Sequence, residues 1–306
     1  MRTIRIGTRE SELALWQANQ VSQLIQQAGH HTQLVPIKSE GDIDLITPLY
    51  EMGVEGIFTK SLDIALLNDR IDIAVHSMKD VPIKTATGII QAAVLKRGSA
   101  FDLLVFRNDN TFLMEENYVA HIATSSIRRR AQWLHKYPHH KIQNLRGNVN
   151  TRLDKLHTSN WDAAIFAKAG LERINRIPIA STVLEWMLPA PAQGAIMIVC
   201  RESDKEVIES CAGLNDDSTA LCTKIERDFL HALLGGCSTP ISAYAIINNG
   251  FIHFKGNILS PDGRQIAEIE KNVTCREAEV LGKNAAKELL LKGGEEITHL
   301  IQHVAE

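Results

Sequence analysis

Four segments of the sequence carry side chains whose types and spacing could do chemistry. In 71–82, IDIAVHSMKDVP, an apolar run ends in Ser77, Met78, Lys79 and Asp80 just before a Val-Pro turn. Polar groups at the carboxyl end of an α/β strand point into the crevice where ligands bind, which would place Asp80 and Lys79 there. The plainer alternative is a turn capped by Asp80, with Lys79 in solvent. In 123–130, ATSSIRRR, Thr124, Ser125 and Ser126 follow a strand and open a helix whose free N–H groups favour an anion. Arg128, Arg129 and Arg130 fall in its first turn, where cations oppose the helix dipole unless an anion or carboxylate compensates. Three consecutive arginines span about 200° of helix, so not all can face one ligand, and a solvated basic face is the alternative. In 145–153, LRGNVNTRL, Arg146 and Arg152 flank a strand–Gly turn–helix unit. Guanidinium forks suit carboxylate or phosphate recognition. With Arg9 and Ser11 at the first strand–helix turn, these units imply a ligand with several negative groups. In 234–240, LGGCSTP, Cys237 sits in a glycine-flanked loop able to present a thiol. A free cysteine is more often a small buried apolar residue, but this loop makes Cys237 the plausible nucleophile of the chain.

Charge and composition narrow the classes. The 306 residues carry 33 basic and 36 acidic side chains, a net charge of -3. Between His121 and Arg176 there are seven Arg and four Lys against three acids, a local charge of +8 that leaves -11 for the rest. A basic middle in an acidic chain argues for an anionic ligand held locally. It argues against nucleic acid, since the arginines also lack interleaved aromatics. Hydrophobic residues at 44% and charged residues at 23% belong to a protein with a real core, not a disordered tail or coiled coil. Five widely spaced cysteines without a Cys-x-x-Cys pair make neither a disulfide framework nor a zinc site, so no metal is expected. P-loop, dinucleotide-binding and His-Glu-x-x-His motifs are missing. No apolar run approaches the ~18–20 residues that span a bilayer, and the N-terminus has no secretory stretch, so no membrane partner and a cytoplasmic location are expected.

The elements that must position these groups read as α/β over the first ~200 residues. Strands are expected at 3–7, 33–37, 71–75, 89–95, 103–106, 119–123, 141–145, 163–167 and 195–199. Helices are expected at 11–27, 59–68, 126–137, 148–158 and 169–175. In the first helix Leu13, Trp16, Val21, Leu24 and Ala28 share one side. Residues 39–57 fit neither period and read as a mobile flap. From Asp216 the pattern changes to a long helix (218–234), three strands (241–247, 251–259, 266–273) joined by Asn-Asn-Gly and Pro-Asp-Gly turns, and two helices (276–291, 295–304). That describes a small α+β domain with a three-stranded antiparallel sheet.

These segments together resemble porphobilinogen deaminase. IGTRESELALWQA, DIAVHSMKDVP, TSSIRRRAQ, LRGNVNTRL, AGLERI, PAQGA and GGCSTPI occur in that family's order and at its spacing. The resemblance implies two periplasmic-binding-protein-like α/β domains plus the small C-terminal domain, divided as 1–98 with 192–214, 99–191 and 215–306. It implies a transferase that joins four porphobilinogen molecules head to tail, with loss of ammonia, to give linear hydroxymethylbilane for tetrapyrrole and haem synthesis. It also implies a dipyrromethane cofactor in thioether linkage to Cys237, and a monomer.

By the same resemblance, Asp80 is the catalytic aspartate with Lys79 beside it. Loss of ammonia gives an azafulvene, and attack by a pyrrole α-carbon leaves a cationic ring that must lose a proton, which a carboxylate can stabilise and relay. Ser77, Lys79, Asp80, Thr124, Ser125, Ser126, Arg128, Arg129 and Arg146 are implied to hold the cofactor, and Arg9, Ser11, Lys60, Arg152 and Arg173 the substrate carboxylates. Hinges are expected near 96–100 and 189–193. Three positions depart from the family. The flap tip reads Gly53-Val54-Glu55-Gly56 where Gly-Gly-Lys-Gly is common, Pro191-Ala192-Gln193-Gly194 replaces Val-Gly-Gln-Gly, and Ser242 replaces a common glycine. The rival from another class is a non-catalytic cytosolic anion-binding module of two lobes, which leaves Cys237 unexplained.

Overall fold

The computed structural model describes residues 2–39, 56, 59–233 and 239–305. The predicted flap, apart from Ser39 and Gly56, and Cys237 lie outside them. Strands β1 (Thr3–Thr8), β2 (His31–Pro36), β3 (Ile73–Ser77), β4 (Ile89–Val94) and β10 (Ile196–Arg201) form a sheet in the order β2-β1-β3-β10-β4. The first three are parallel, and β10 runs antiparallel to both β3 and β4. Helices α1 (Glu12–Gln27), α2 (Lys60–Leu67) and α6 (Lys205–Ala212) cover it. Successive residues of the central strands serve opposite faces. Ile73, Val75, Ile196 and Ile198 enter one core, while Ala74, Met197 and Val199 enter the other. That two-sided burial is why these strands read as continuous apolar runs rather than alternating ones.

The second sheet repeats the plan. Strands β5 (Asp102–Phe106), β6 (His121–Ala123), β7 (Lys141–Gln143), β8 (Ala163–Ala167) and β9 (Ser181–Val183) are ordered β7-β6-β8-β5-β9, with α3 (Ile127–Lys136), α4 (Val149–Thr158) and α5 (Lys168–Arg173) beside them. Again the first three strands of the unit are parallel and one antiparallel strand, β5, is inserted. In each sheet the inserted strand is the one fed by a crossing segment, 95–101 into β5 and 184–195 into β10. Two crossings between two lobes are what the predicted hinges require.

The third unit consists of α7 (Asp217–Ala232), the antiparallel sheet β11 (Ile241–Asn248), β12 (Phe251–Leu259) and β13 (Ile266–Thr274), and helices α8 (Ala278–Leu289) and α9 (Glu295–Ala305). Its core is separate from those of the lobes and centres on Phe229 and Phe254, whose rings meet edge-on 5.1 Å apart. Among the described residues, no helix is long and apolar enough to cross a membrane.

Three readings of the sequence need correction. The buried face of α1 is Ala14, Ala18, Val21 and Ile25, rotated from the predicted stripe. Small alanines let the helix approach the sheet closely, while Trp16 stays at the edge under the Arg173 guanidinium, 5.8 Å from its ring centre. Strand β9 and helix α6 were not expected. A three-residue strand is too short for a visible period, and α6 (KEVIESCA) buries only Val207 and Cys211.

Candidate active site

Most of the predicted site residues that the structure describes lie at the carboxyl edges of the two sheets. On the first lobe, β1 delivers Arg9 and Ser11, and β3 delivers Ser77, Lys79 and Asp80. The Ser11 hydroxyl caps α1 by accepting from Ala14 N at 3.4 Å. Residues Met78–Asp80 form one turn of 3-10 helix, closed by Val81 N donating to Met78 O and tied to the crossing segment by Met78 N donating to Ala195 O at 3.0 Å. From the third unit, Arg227 of α7 donates to Val81 O at 2.9 Å and Pro82 O at 2.7 Å, so the turn bearing Asp80 is braced from outside its own lobe. Arg9, Ser11, Ser77 and Asp80 line one small recess. Gln17 and His76 line it too, and neither was read from the sequence. Gln17 donates to Ser77 Oγ at 3.0 Å. His76 is buried, and burial followed by the Arg9 charge pulls its pKa down to about 4, leaving a neutral imidazole.

On the second lobe the three consecutive arginines separate as expected. Arg128 and Arg129 are buried and Arg130 is exposed. The buried pair grips Asp102, the first residue of β5: Arg128 Nη2 donates to Oδ2 at 2.6 Å and Arg129 Nη2 to Oδ1 at 2.8 Å. Their other terminal nitrogens reach Leu188 O and Ile165 O. Asp102 is fully buried, which by itself favours the neutral acid, yet the two guanidinium groups hold it well below the usual carboxylate range. The sequence offered one signal for it, an acid directly abutting an apolar run, since a buried charge needs partners. The hydroxyls are also engaged. Ser126 caps α3 by accepting from Arg129 N, Thr124 Oγ1 accepts from Ser126 N at 3.2 Å, and Ser125 Oγ accepts from Leu145 N at 2.8 Å while bonding Asn144.

Arg146 is buried, and Arg152 turns its Nε to Gly147 O at 2.7 Å. Burial first, then Arg129 and Arg146, pull the Arg152 pKa down to about 10, with Arg9 adding to the fall and Asp80 opposing it. Four arginines from two lobes thus share one electrostatic neighbourhood with Asp80. Arg173 donates to Gly194 O in the crossing segment at 2.6 Å, and burial lowers its pKa to about 10. Lys60 opens α2 and is exposed.

Lys79 lies between the lobes. Its Nζ donates to Gln193 Oε1 at 3.1 Å. Burial and Arg129 lower its pKa to about 8, while Asp80 and Asp102 pull the other way. Asp80 itself is half-buried and, among the described residues, makes no hydrogen bond and no ion pair. Two departures from the family pattern are accounted for here. Ser242 is fully buried and accepts from Gln132 Nε2 at 3.0 Å, which joins α3 to β11. Ala192 takes the left-handed φ of 61° at a position where the family's glycine carries no strain. Glu55 lies outside the described residues.

The fold is a pair of α/β lobes and a bracing third unit, with buried arginines gathered around Asp80. The sequence matches the family model "Porphobilinogen deaminase, dipyromethane cofactor binding domain" over residues 4–209 and "Porphobilinogen deaminase, C-terminal domain" over 220–291. The chain belongs to the porphobilinogen deaminase family, a transferase family of tetrapyrrole synthesis whose cofactor is dipyrromethane. Among solved structures, the chain is similar to the Bordetella pertussis BvgS periplasmic VFT2 domain, at 11% identity over 71% of this chain and 90% of that one, TM-score 0.42. It is similar to the Neisseria gonorrhoeae L-cystine solute receptor at 11% identity over 71% and 87%, TM-score 0.41. A probable amino-acid transporter extracellular-binding protein, YtmK of Bacillus subtilis, gives 12% identity over 70% and 90%, TM-score 0.40.

Proposed function

We propose that this protein condenses four porphobilinogen molecules head to tail, releasing ammonia each time, to form linear hydroxymethylbilane. The observation that carries this reading is Asp80, a carboxylate with no partner of its own among the described residues, set in a recess with Arg9 and within the field of Arg152. Unspent carboxylates are unusual among several arginines, and a cationic transition state is what such a group would stabilise.

The residues present fit a dipyrromethane. Each of its two rings carries an acetate and a propionate, and the crowding of Arg9, Arg129, Arg146 and Arg152 that lowers the proton affinity of Arg152 is relieved by carboxylates. Arg128, Arg129 and Arg146 would hold the group, with Arg152 beside them on the substrate side and Cys237 as its point of attachment; when bound it supplies the pyrrole carbon from which the product grows. On the substrate, Arg9 binds a carboxylate and Asp80 accepts from the pyrrole N–H, so positive charge developing as the aminomethyl group departs is met by a fixed anion. Lys79, with its pKa near 8, holds a proton that it can give to the departing amine. The cleft walls would exclude water from the cationic ring. The enzyme is expected to act as a monomer in the cytoplasm.

Intact mass of the denatured protein, followed by peptide mapping, tests the reading. An increment of two deaminated substrate units on the Cys237 peptide supports it. No adduct even after incubation with porphobilinogen would leave the anion-binding module as the better account.

A further inference from the structure

Between the two lobes lies one residue whose side chain makes three hydrogen bonds and has no assigned task. Gln193 sits in the second crossing segment and is 1% exposed. Its Nε2 donates to Ala100 O at 2.7 Å and to Asp102 Oδ1 at 2.8 Å. Its Oε1 accepts from Lys79 Nζ at 3.1 Å, and its backbone carbonyl accepts from Arg97 Nε at 2.8 Å. Two acceptors on the nitrogen side fix which way the amide points, so the oxygen must face the lysine. A carboxamide can donate to a carboxylate at one end and accept from an ammonium at the other while carrying no charge and no titratable proton.

We propose that Gln193 is a positioning residue for the reaction: its amide, oriented by Asp102 and Ala100, holds Lys79 in place and ties it to the carboxylate that anchors Arg128 and Arg129. This rests on the reading of Lys79 as a proton donor. Among the described residues, the charged groups around the lysine are Asp80 from its own turn, Asp102 from β5, and Arg128 and Arg129 from α3. A neutral amide adds an acceptor there without adding charge, so the ammonium is held while its proton stays easy to release. A glutamate would instead set a second carboxylate against Asp102 and bind the proton more tightly.

The test uses the cofactor-loaded enzyme, with loading checked by intact mass. Gln193→Met keeps the volume and removes both side-chain contacts. It should lower kcat by about 10²-fold, as expected for a displaced catalytic group, with little change in KM. Gln193→Glu should move the alkaline limb of the rate profile, near pH 8 in the parent, upward by roughly one unit or more. A purely structural role would lower Tm or KM performance and leave that limb in place, and such a result overturns the proposal. Lys79→Met separates the underlying reading. If it keeps turnover and the limb, Lys79 is not the donor; if it loses both while the Gln193 variants keep them, only the coupling fails. Should either variant not fold, selective ¹⁵N labelling of the native Gln193 amide decides the matter. Its signal should titrate with Lys79 near pH 8, and a flat signal overturns the coupling.

Discussion

Each lobe brings a carboxylate to the carboxyl edge of its parallel strands, and the two are used in opposite ways. Asp102 faces Ala167 at the end of β8, fully buried, with both oxygens taken by Arg128 and Arg129 and a third donor from Gln193. Asp80 follows the end of β3, half-buried, with no hydrogen bond or ion pair among the described residues. The sheets behind them share one strand order, so the difference is not one of fold. It comes from the neighbours: Asp102 lies under a helix that opens with two inward arginines, whereas Asp80 rides on a turn braced through its backbone and through Lys79, not through the Asp80 side chain. A carboxylate whose bonding is complete can hold structure together. One whose bonding is incomplete is available to a ligand.

The sharpest way to break that comparison is to remove each charge in turn. Asp80→Asn should lower turnover by roughly 10²- to 10⁴-fold, the range of general acid–base contributions, while Tm stays close to the parent because no contact is lost. Turnover within a few-fold of the parent would take Asp80 out of the chemistry. Asp102→Asn should do the reverse in emphasis. It leaves two buried guanidinium groups without a counter-charge, so denaturant unfolding should register a loss of about 3–5 kcal/mol. If Asp102→Asn unfolds normally, the pair is not the structural anchor described here.

Acid should separate the two regions in a second way. The His76 pKa falls from 6.5 to about 4 on folding. Between those values the unfolded chain binds a proton that the folded chain refuses, so stability is full above about 6.5 and declines as pH drops toward 4, by up to about 3 kcal/mol. Asp102 is depressed on folding, so its contribution is intact above the ordinary carboxylate value and is lost only below about pH 4. Unfolding free energy measured against pH should therefore fall in two stages. His76→Gln should flatten the first stage and leave the second.

Much of this arrangement was legible before the structure. The motif segments singled out Asp80, Lys79, Arg9, Arg146 and Arg152 because strand ends and helix starts are local features, and the period of the chain located nine of the ten lobe strands to within a few residues, missing β9. What escaped was whatever depends on partners distant in sequence. That Arg128 and Arg129 also share Asp102, 26 and 27 residues away, could not be seen from their own segment. Gln193 meets Lys79 across 114 residues and Gln17 meets Ser77 across 60. Arg97 pairs with Glu226 across 129, fixing the first crossing segment to α7. Such pairs follow from topology, and a single sequence carries the elements more plainly than their assembly.

The smallest effect concerns the crossing segment that carries Gln193. Ala192 adopts φ of 61°, where a β-carbon crowds the following carbonyl and costs roughly 1–2 kcal/mol. Its backbone N–H donates to Glu226 Oε2 at 2.6 Å, so the conformation is held from the third unit rather than chosen by the residue. Ala192→Gly removes the crowding but adds freedom to the unfolded chain, which returns about 0.4–1 kcal/mol of the gain. A net stabilisation below about 1 kcal/mol is expected, read as a small rise in the denaturation midpoint at unchanged slope. Gly194→Ala two residues on should go firmly the other way, since its φ is also positive and a β-carbon would stand 2.5 Å from Ser99 O. If Ala192→Gly destabilises, the left-handed backbone at 192 is relaxed by something other than the Glu226 bond. The crossing segment would then be less constrained at Gln193 than the fixed contacts of Asp102 require.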